Sequence, residues 1–393
     1  MITLTEPSAS LLPAFNRINY SILSDNADQT GFKYVVKVYN GNDELMTTAY
    51  YDAPADPATP VEFDVSKFVQ QDFTYDVGVY QTAATQHSTG LIKKFYLKCY
   101  EYRDVDGTYV IVLNTQVTSA NKYALAASFP LLELKTWYAN VNFYTGVSNT
   151  GYKPLTSWTD VKLRSTDSQM IPFYNDGKVT NLELVVTLMN GTSSTYYLTP
   201  SVVTTPQVTF FKVTPANYGN VNYISLFLNY NNGTARRVPT GMTLYTQACG
   251  KFDPVRVAYL NKFGAWDYFN FDLVSRTSFD IERKGYQRNY TADIYEGNGV
   301  MVKNTNPIYY TKEMQKYKLV SDYLTDAQSQ LIRQLYSSPL VYMNLVNDND
   351  ISVSWIPVKI VPNSYEVKQT ATDKVFNIEL DVEFGLVNTR QSI

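Results

Sequence analysis

Acidic and aromatic side chains lie close together in residues 259–288. The acids are Asp267, Asp272, Asp280 and Glu282. Two carboxyl groups that face each other across a cleft can hydrolyse a glycosidic bond, and neighbouring aromatic rings can stack on the sugars. Two acids on one strand, however, do not oppose each other across a substrate. Glycan hydrolysis is therefore the least favoured function for this chain.

The four acids also have an ordinary structural interpretation. Asp267 and Asp272 are predicted to lie on the polar face of a strand or at its turn. For Asp280 and Glu282 the sequence predicts ion pairs along an exposed strand. Their available basic partners are Arg276, Arg283 and Lys284.

A single histidine, His87, limits the other catalytic arrangements. A Ser-His-Asp triad, a Cys-His pair and a multi-histidine metal site would all depend on this one residue. Its neighbours, Q-T-A-A-T-Q-H-S-T-G, predict an exposed polar loop. The sequence contains no phosphate-binding glycine loop of the GxGxxG or GxxxxGK[ST] type. We therefore expect a protein that is not an enzyme and binds no cofactor.

The residues that bind metals most often are also sparse. Cys99 and Cys249 have no CxxC partner, so the sequence supports neither a zinc site nor a disulfide framework. Both are predicted to be buried as small apolar side chains. The segment Asn347–Asp350 has oxygen ligands at a calcium-like density, but it lacks the loop and the closing glutamate of an EF-hand. We interpret this segment as a turn and expect no metal site.

Charge and hydropathy exclude two classes of partner. The net charge of −3 and the pI of 5.4 argue against nucleic acid, which selects a basic surface. No segment reaches the roughly 18 apolar residues of a membrane span, and the N-terminus lacks the features of a signal peptide. We therefore expect a protein that is made in a cytoplasm, with no nucleic-acid partner and no membrane insertion.

Composition and length predict a mainly β, multi-domain protein. Aromatic residues make up 15% of the 393 residues, with 34 tyrosines, and such a composition favours strands. At roughly 100–200 residues per domain, the length predicts three domains. We expect an N-terminal β-sandwich over residues 1–115, a middle β-sandwich over residues 116–250 and a C-terminal α+β domain over residues 251–393.

The N-terminal region shows seven short strands separated by turn sequences, which indicates a sandwich of the immunoglobulin or fibronectin type. In F-K-Y-V-V-K-V-Y, from Phe32 to Tyr39, alternate residues point in opposite directions. One face is therefore predicted to join the core, and the other to be amphipathic. The strands are predicted at Ile2–Thr5, Arg17–Leu23, Phe32–Tyr39, Glu44–Tyr51, Thr74–Gln81, Ile92–Tyr102 and Thr108–Leu113.

The middle region repeats this pattern, with Asn-Gly turns between apolar runs. Its strands are predicted at Trp137–Tyr144, Leu182–Leu188, Ser194–Leu198, Val208–Val213, Tyr223–Asn229 and Met242–Gln247.

The C-terminal region combines an aromatic hairpin with the one convincing helix of the sequence. Strands at Val255–Leu260 and Trp266–Leu273 are predicted to join at a turn around Gly264. The helix is predicted at 325–337, with Thr325 and Gln328 as its capping box. It is expected to pack on an antiparallel sheet. Further strands are predicted at Val341–Leu345, Ser352–Ile360, Ser364–Gln369 and Lys374–Phe384.

The many tyrosines favour surfaces that bind other subunits, because large rigid aromatic side chains anchor protein interfaces. A core of this size does not need all 34 of them. The candidate interface residues are Tyr259, Phe263, Trp266, Tyr268, Phe269 and Tyr336.

The sequence resembles a family of virion structural proteins from tailed bacteriophages and prophages of gut Bacteroidetes, including crAss-like phages. The likeness rests on Y-L-N-K-F-G-A-W-D-Y-F-N-F, S-F-D-I-E-R-K-G-Y, S-D-Y-L-T-D-A-Q-S-Q-L-I-R-Q-L-Y-S-S-P-L-V-Y, W-I-P-V-K-I-V-P-N-S-Y-E-V-K and F-N-I-E-L-D-V-E-F. In the N-terminal region it rests on F-K-Y-V-V-K-V-Y and V-E-F-D-V-S-K-F, and residues 116–250 match only loosely.

This resemblance implies a tail, neck or ring component of the virion that assembles through symmetric contacts. Its expected partners are copies of itself and other tail or neck proteins, and its expected location is the virion tail. The resemblance brings no catalytic residue with it. A carbohydrate- or receptor-binding module of a tail fibre stays an alternative, because the same aromatic residues can stack on sugars.

Overall fold

The structure, a computed structural model, confirms the mainly β fold, with 53% of the residues in strands and 11% in helices. It describes residues 1–75, 78, 83–148, 151–247, 252, 254–287, 295–296, 301–302, 306–345, 354–361, 365–367, 376–384 and 388–389. The chain divides into two compact units. The first is Met1–Ala248 with Asn261–Asp267, and the second is Cys249–Leu260 with Tyr268–Ile393. The predicted domain boundaries near residues 115 and 250 stay predictions.

The first unit begins with a β-sandwich that has one short helix, α1, at Ser66–Val69 and a 3₁₀ turn at Gln70–Asp72. Its strands are β1 (Ile2–Thr5), β2 (Leu11–Pro13), β3 (Asn19–Ser24), β4 (Lys33–Asn40), β5 (Leu45–Asp52), β6 (Val61–Asp64), β7 (Thr85–Ser88), β8 (Ile92–Val105), β9 (Thr108–Thr118) and β10 (Lys122–Leu125).

Two sheets form this sandwich. One has the order β1-β3-β6, and the other has the order β2-β10-β8-β4-β5, with β9 also paired to β8. Alternation along β4 places Tyr34, Val36 and Val38 in the core that the two sheets share, whereas Lys33 and Lys37 stay half-exposed. The predicted division of this strand into a core face and an amphipathic face is therefore confirmed.

The first unit continues with a second pair of sheets. Their order is β11-β17-β16-β13-β14 in one sheet and β12-β15-β7 in the other, so β7 joins a sheet of the later sequence. The buried ring of Tyr152 links them, because it contacts Phe173 in one sheet and Tyr230 in the other. The strands are β11 (Asp160–Leu163), β12 (Gln169–Asn175), β13 (Val179–Leu188), β14 (Ser193–Leu198), β15 (Gln207–Val213), β16 (Val221–Asn231) and β17 (Ala235–Thr246).

One strand prediction in this region is wrong. Trp137–Tyr144 belongs to helix α2, Leu131–Tyr144, which follows Pro130. Pro130 favours this helix start, because proline at a helix N-terminus loses no hydrogen bond. The helix buries only Trp137 deeply. Its exposed face combines polar and apolar residues, so no helical stripe is visible in the sequence.

The second unit contains a helix, an eight-stranded sheet and most of the predicted hairpin, whose turn, Asn261–Asp267, belongs to the first unit. The sheet has the order β19-β18-β24-β25-β26-β23-β20, with β27 paired to β23, and β21 pairs with β22. The strands are β18 (Val255–Leu260), β19 (Trp266–Phe271), β20 (Arg276–Gly285), β21 (Tyr295–Glu296), β22 (Met301–Val302), β23 (Ile308–Val320), β24 (Val341–Leu345), β25 (Ser354–Ile360), β26 (Glu379–Phe384) and β27 (Asn388–Thr389). Strands β18 and β19 confirm the hairpin. Half of the predicted strand Ser364–Gln369 lies outside the described residues, and the other half, residues 365–367, forms no strand.

Helix α3, Asp326–Tyr336, begins at the predicted capping box. Thr325 Oγ1 accepts a hydrogen bond from the backbone N–H of Gln328 at 3.3 Å. The Gln328 side chain in turn accepts one from the backbone N–H of Thr325 at 3.1 Å. These bonds satisfy two backbone donors that the helix itself leaves unpaired.

Replacing Thr325 with alanine is expected to lower the free energy of unfolding of the second unit by about 1 kcal/mol, because the cap is lost. Urea denaturation followed by circular dichroism measures this change. Thr325→Ser keeps the hydroxyl and serves as the control. An equal loss in both variants would contradict the capping role.

No helix among the described residues is long and apolar enough to cross a membrane.

Candidate functional site

The outer face of the first sandwich carries a surface of tyrosines. Strands β5, β4, β8 and β9 lie side by side there, and we call them the four-strand ribbon. The ladder pairs Tyr39 with Tyr96, and Val35 with both Tyr50 and Tyr100. We call these outward side chains the tyrosine face. It consists of Tyr39, Tyr50, Tyr96, Tyr100, Tyr102 and Tyr109. Only Tyr50 and Tyr109 are exposed, whereas Tyr39 and Tyr102 are half-buried and Tyr96 and Tyr100 are buried beneath neighbouring side chains.

Two lysines lie directly opposite each other in this face. Lys37 pairs with Lys98 across β4 and β8, and like charges at such positions repel. The Lys37 ammonium lies 5.3 Å from the ring centre of Tyr100, and the Lys98 ammonium lies 4.7 Å from that of Tyr39. Neither lysine has a carboxylate partner within the described part of the chain. Cation–π attraction offsets part of the repulsion, and the face keeps a positive centre.

Two hydroxyls of the tyrosine face, those of Tyr96 and Tyr100, are held in the protonated form. Burial raises the pKa of Tyr100, and also that of Tyr96, where Asp43 adds to the increase. Tyr100 donates a hydrogen bond to the side-chain oxygen of Gln116 at 2.9 Å. The face therefore offers flat rings, protonated hydroxyls and two cations, a composition that suits a protein interface.

A tyrosine row crosses the ribbon. The rings of Tyr50 and Tyr102 have their centres 6.0 Å apart, and those of Tyr102 and Tyr109 are 5.9 Å apart. The two ends of the row stay exposed, with 54% of Tyr50 and 45% of Tyr109 accessible to solvent. Tyr109 also donates a hydrogen bond to the carbonyl of Thr30 at 3.2 Å. The row therefore reaches both free edges of the ribbon.

The tip of the aromatic hairpin forms a second aromatic cluster inside the first unit. The ring centre of Phe263 lies 5.3 Å from that of Phe129, 5.5 Å from Tyr144 and 6.1 Å from Trp137. A cavity of about 180 Å³ lies beside these rings. The Nε1 of Trp137 is buried and has no hydrogen-bond partner among the described residues. This cavity has the size of one side chain.

A groove of about 570 Å³ lies on the second unit, at the end of α3. Tyr336 and Tyr365 stack there with their ring centres 4.5 Å apart. Burial raises the pKa of Tyr336, so its hydroxyl stays protonated, and this hydroxyl donates a hydrogen bond to the carbonyl of Glu379. Arg333 and Lys359 also line the groove. Stacked rings beside basic side chains are compatible with a sugar or an acidic group.

The six candidate interface residues have different degrees of burial. Tyr259, Phe263, Trp266 and Tyr268 are buried, and Phe269 and Tyr336 are half-buried. Tyr268 packs against Trp355, and Arg256 lies over its ring. The interface role of the six residues stays a prediction. The exposed tyrosines of the ribbon are residues that the sequence did not single out.

The structure separates the acids that offered a hydrolytic site. Both Asp280 and Glu282 lie on an exposed strand, as predicted. Glu282 forms an ion pair with Lys284 at 3.4 Å, one of the predicted partners, whereas Asp280 pairs with Lys316 of β23, which was not among them. Asp267 was predicted on a polar face or at a turn, but it is only 1% exposed. Its backbone lies in β19, where tertiary packing covers both faces of the strand.

His87 also differs from its prediction. It lies in β7 and is half-buried, because β7 pairs with β15. Its Nδ1 is 2.9 Å from the hydroxyl of Thr209, and its Nε2 is 2.8 Å from the hydroxyl of Ser201. Burial lowers the pKa of His87. Within the described part of the chain, both ring nitrogens of His87 therefore contact hydroxyl groups.

The residues that were considered as metal ligands lie only partly within the described chain. Cys99 is buried as predicted, and burial raises the pKa of its thiol to about 12. Cys249 and Asn347–Asp350 lie outside the described residues. Within the described part of the chain, no group of three or more His, Cys, Asp or Glu side chains is placed to hold a metal ion.

Comparison with known proteins does not assign the chain to a family. No protein-family model matches the chain, and no curated protein matches it. The function is therefore inferred from the sequence resemblance and from the surfaces described above.

Proposed function

We propose that the chain is a structural protein of a phage virion. In this role it is a tail, neck or ring component that assembles by lateral contacts between copies and links parts of the tail. The sequence resemblance supplies the virion context, and its partners are copies of itself and other tail or neck proteins.

The observation that carries this proposal is the pair of exposed tyrosines at the two edges of the four-strand ribbon. Soluble monomers seldom expose long uncharged strands with large aromatic side chains at a sheet edge. Tyr50 and Tyr109 are about half exposed, at opposite edges of one ribbon. Tyrosine anchors interfaces because it buries a large rigid area and loses few rotamers. A chain with such surfaces on two sides suits repeated lateral packing.

Light scattering on the purified chain over a range of concentrations is expected to give a mass larger than one chain, because the exposed edges associate. Association should survive high salt, since the contact is apolar and aromatic and charge screening affects it little. Mass spectrometry of purified particles from a phage that encodes the chain is expected to detect it. A strictly monomeric chain that is also absent from particles would overturn the proposal.

A carbohydrate-binding module is the second candidate, and the groove beside α3 favours it. Stacked Tyr336 and Tyr365 give an aromatic platform, and Arg333 and Lys359 add positive charge. A glycan array with the purified chain tests this candidate, with Tyr365→Ala as the variant that removes part of the platform. A tail-borne hydrolase has less support, because the exposed acids are paired with lysines and Asp267 is buried.

A further inference from the structure

We propose that copies of this chain join head to tail by strand addition, with residues 108–112 of β9 in one copy pairing antiparallel with β5 of the next. This inference rests on the proposed self-assembly and names the contact that produces it. The occupant of each free edge is a second copy of the same chain. One four-strand ribbon then continues into the next across every subunit boundary.

The edge strands of the first unit differ in how they are protected. Natural proteins blunt exposed edges with charge, with proline or by keeping them short. Strands β6 and β11 carry charged residues, β2 and β12 contain proline, and β1 and β7 have only four residues each. Strands β5, β9 and β14 have six or more residues. Their only charged residue is Asp52, which ends β5 and pairs with Lys33 at 3.0 Å.

The most apolar of these edges is the first half of β9. It reads Y-V-I-V-L from Tyr109 to Leu113, and 38% of Val110 and 72% of Leu113 are exposed. Short uncharged runs of high β-propensity on an edge pair readily with another strand. The register of β9 on β8 shifts after Val112, so the pairing of the two strands is interrupted there and resumes at Val117. The free edge that can accept a strand is therefore Thr108–Val112.

Strand direction makes β5 the natural partner of β9. Within the ribbon, β5 is antiparallel to β4, β4 to β8 and β8 to β9, so β9 runs antiparallel to β5. No described strand pairs with the outer side of β5 or with that of β9. A neighbouring ribbon placed in the same orientation beside β5 therefore presents its β9 antiparallel, and the combined sheet stays antiparallel throughout.

The side chains at the two edges are also compatible. The tyrosine row ends at Tyr50 on β5 and at Tyr109 on β9. Pairing of β5 with the neighbour's β9 places the neighbour's Tyr109 on the side of the sheet where Tyr50 lies. Aromatic cross-strand pairs stabilise such ladders. The contact uses two different surfaces of one chain, so it repeats, and it closes into a ring if the rotation between copies allows.

Strand β14 is the competing edge. Its sequence is S-S-T-Y-Y-L, and it is exposed along almost its whole length. It lacks the apolar run of β9, and its one partner among the described strands, β13, lies in a separate sheet from the ribbon. Assembly through β14 is therefore the alternative that the experiment must separate.

Paired charge variants test the proposal. Thr48→Glu/Tyr50→Glu puts two carboxylates on the β5 edge, and Thr108→Glu/Val110→Glu puts two on the β9 edge, where both positions are exposed in the single chain. Each variant alone is expected to be monomeric in analytical ultracentrifugation, whereas the wild-type chain forms larger species. A 1:1 mixture of the two variants keeps one intact β9–β5 contact. It is expected to form dimers and nothing larger.

Controls decide between the possible outcomes. Asn222→Glu/Ser225→Glu, on the central strand β16, is expected to assemble like the wild type. Ser193→Glu/Thr195→Glu charges β14 and is also expected to leave assembly unchanged. Circular dichroism of each variant establishes that it is folded. Loss of assembly only in the β14 variant, or a mixture that stays monomeric, would overturn the β9–β5 contact. A wild-type chain that never associates would instead count against the proposed self-assembly itself.

Discussion

Replacing Gly264 with alanine is expected to lower the free energy of unfolding of the first unit by about 3 kcal/mol. Gly264 has a φ of +76° in the turn between β18 and β19, and a left-handed conformation costs an L-residue about 1–2 kcal/mol. A Cβ at this position would also lie 2.2 Å from the carbonyl oxygen of Ala126. Overpacking of this kind costs about 1–3 kcal/mol, because the backbone has to move.

Hydrogen bonds around the turn oppose any backbone movement that would make room for the added Cβ. Asn261 accepts hydrogen bonds from the backbone N–H groups of Phe263 and Ala265 at 2.9 and 3.1 Å. Its side chain also donates one to the carbonyl of Leu155 at 3.0 Å. The turn is therefore fixed at several points, and moving it away from Ala126 would break these bonds.

Gly191→Ala is the matched control. Gly191 has a φ of +83°, and an added Cβ would meet no atom within 4 Å. This variant carries the conformational cost alone, so its loss should be about 1–2 kcal/mol. Urea denaturation followed by tryptophan fluorescence reports mainly on the first unit, since Trp137, Trp158 and Trp266 belong to it. Equal losses in both variants would contradict the steric argument.

Local sequence signals predicted the hairpin and helix α3, because their causes lie within a few residues. A glycine with positive φ makes the turn, and Thr325 with Gln328 caps the helix through contacts three residues apart. The two faces of β4 follow from the alternation of side chains along a strand. In each case the physical reason for the structure can be read in the same short stretch.

Burial could not be predicted in the same way, because it depends on distant parts of the chain. Phe263 is buried against Phe129 and Trp137, which lie more than a hundred residues earlier. His87 becomes part of a sheet only because β15 pairs with β7. Aromatic composition alone does not decide whether a ring packs in the core or on a surface.

The candidate site was harder still to locate from the sequence. Residues 108–113 read as a strand, and the structure agrees. Whether the strand is internal or at an edge depends on sheet order, since both positions favour the same apolar residues. The tyrosine row therefore could not be predicted from the sequence, because it depends on the order β5, β4, β8, β9 in the sheet.

Asp267 is expected to make the first unit less stable as the pH rises. It is 1% exposed, and neither of its carboxyl oxygens has a hydrogen-bond partner among the described residues. Burial raises the pKa of its carboxyl to about 7. The nearby polar side chains of Thr156 and Asn261 and the positive charge of Lys262 lower this pKa, but by less than burial raises it. The folded state therefore favours the protonated acid, which needs no counter-charge.

The sign of the effect follows from proton linkage. The pKa of the carboxyl rises from 3.8 in the unfolded chain to about 7 in the fold. Between these values the folded state binds more protons, so the free energy of unfolding falls as the pH rises, and it levels off above pH 7. At about 1.4 kcal/mol per pKa unit, the total loss is on the order of 4 kcal/mol.

Asp267→Asn removes this titration and keeps the size of the side chain. The variant is expected to exceed the wild type in stability by roughly 4 kcal/mol at pH 8 and by less than half of that at pH 5, because the wild-type acid is then largely protonated in the fold. Urea denaturation at both pH values measures the difference. Asp28→Asn, at an exposed position, is the control and should show little change. If the difference between Asp267→Asn and the wild type did not depend on pH, the buried carboxyl would not titrate in this range. That result would contradict the prediction.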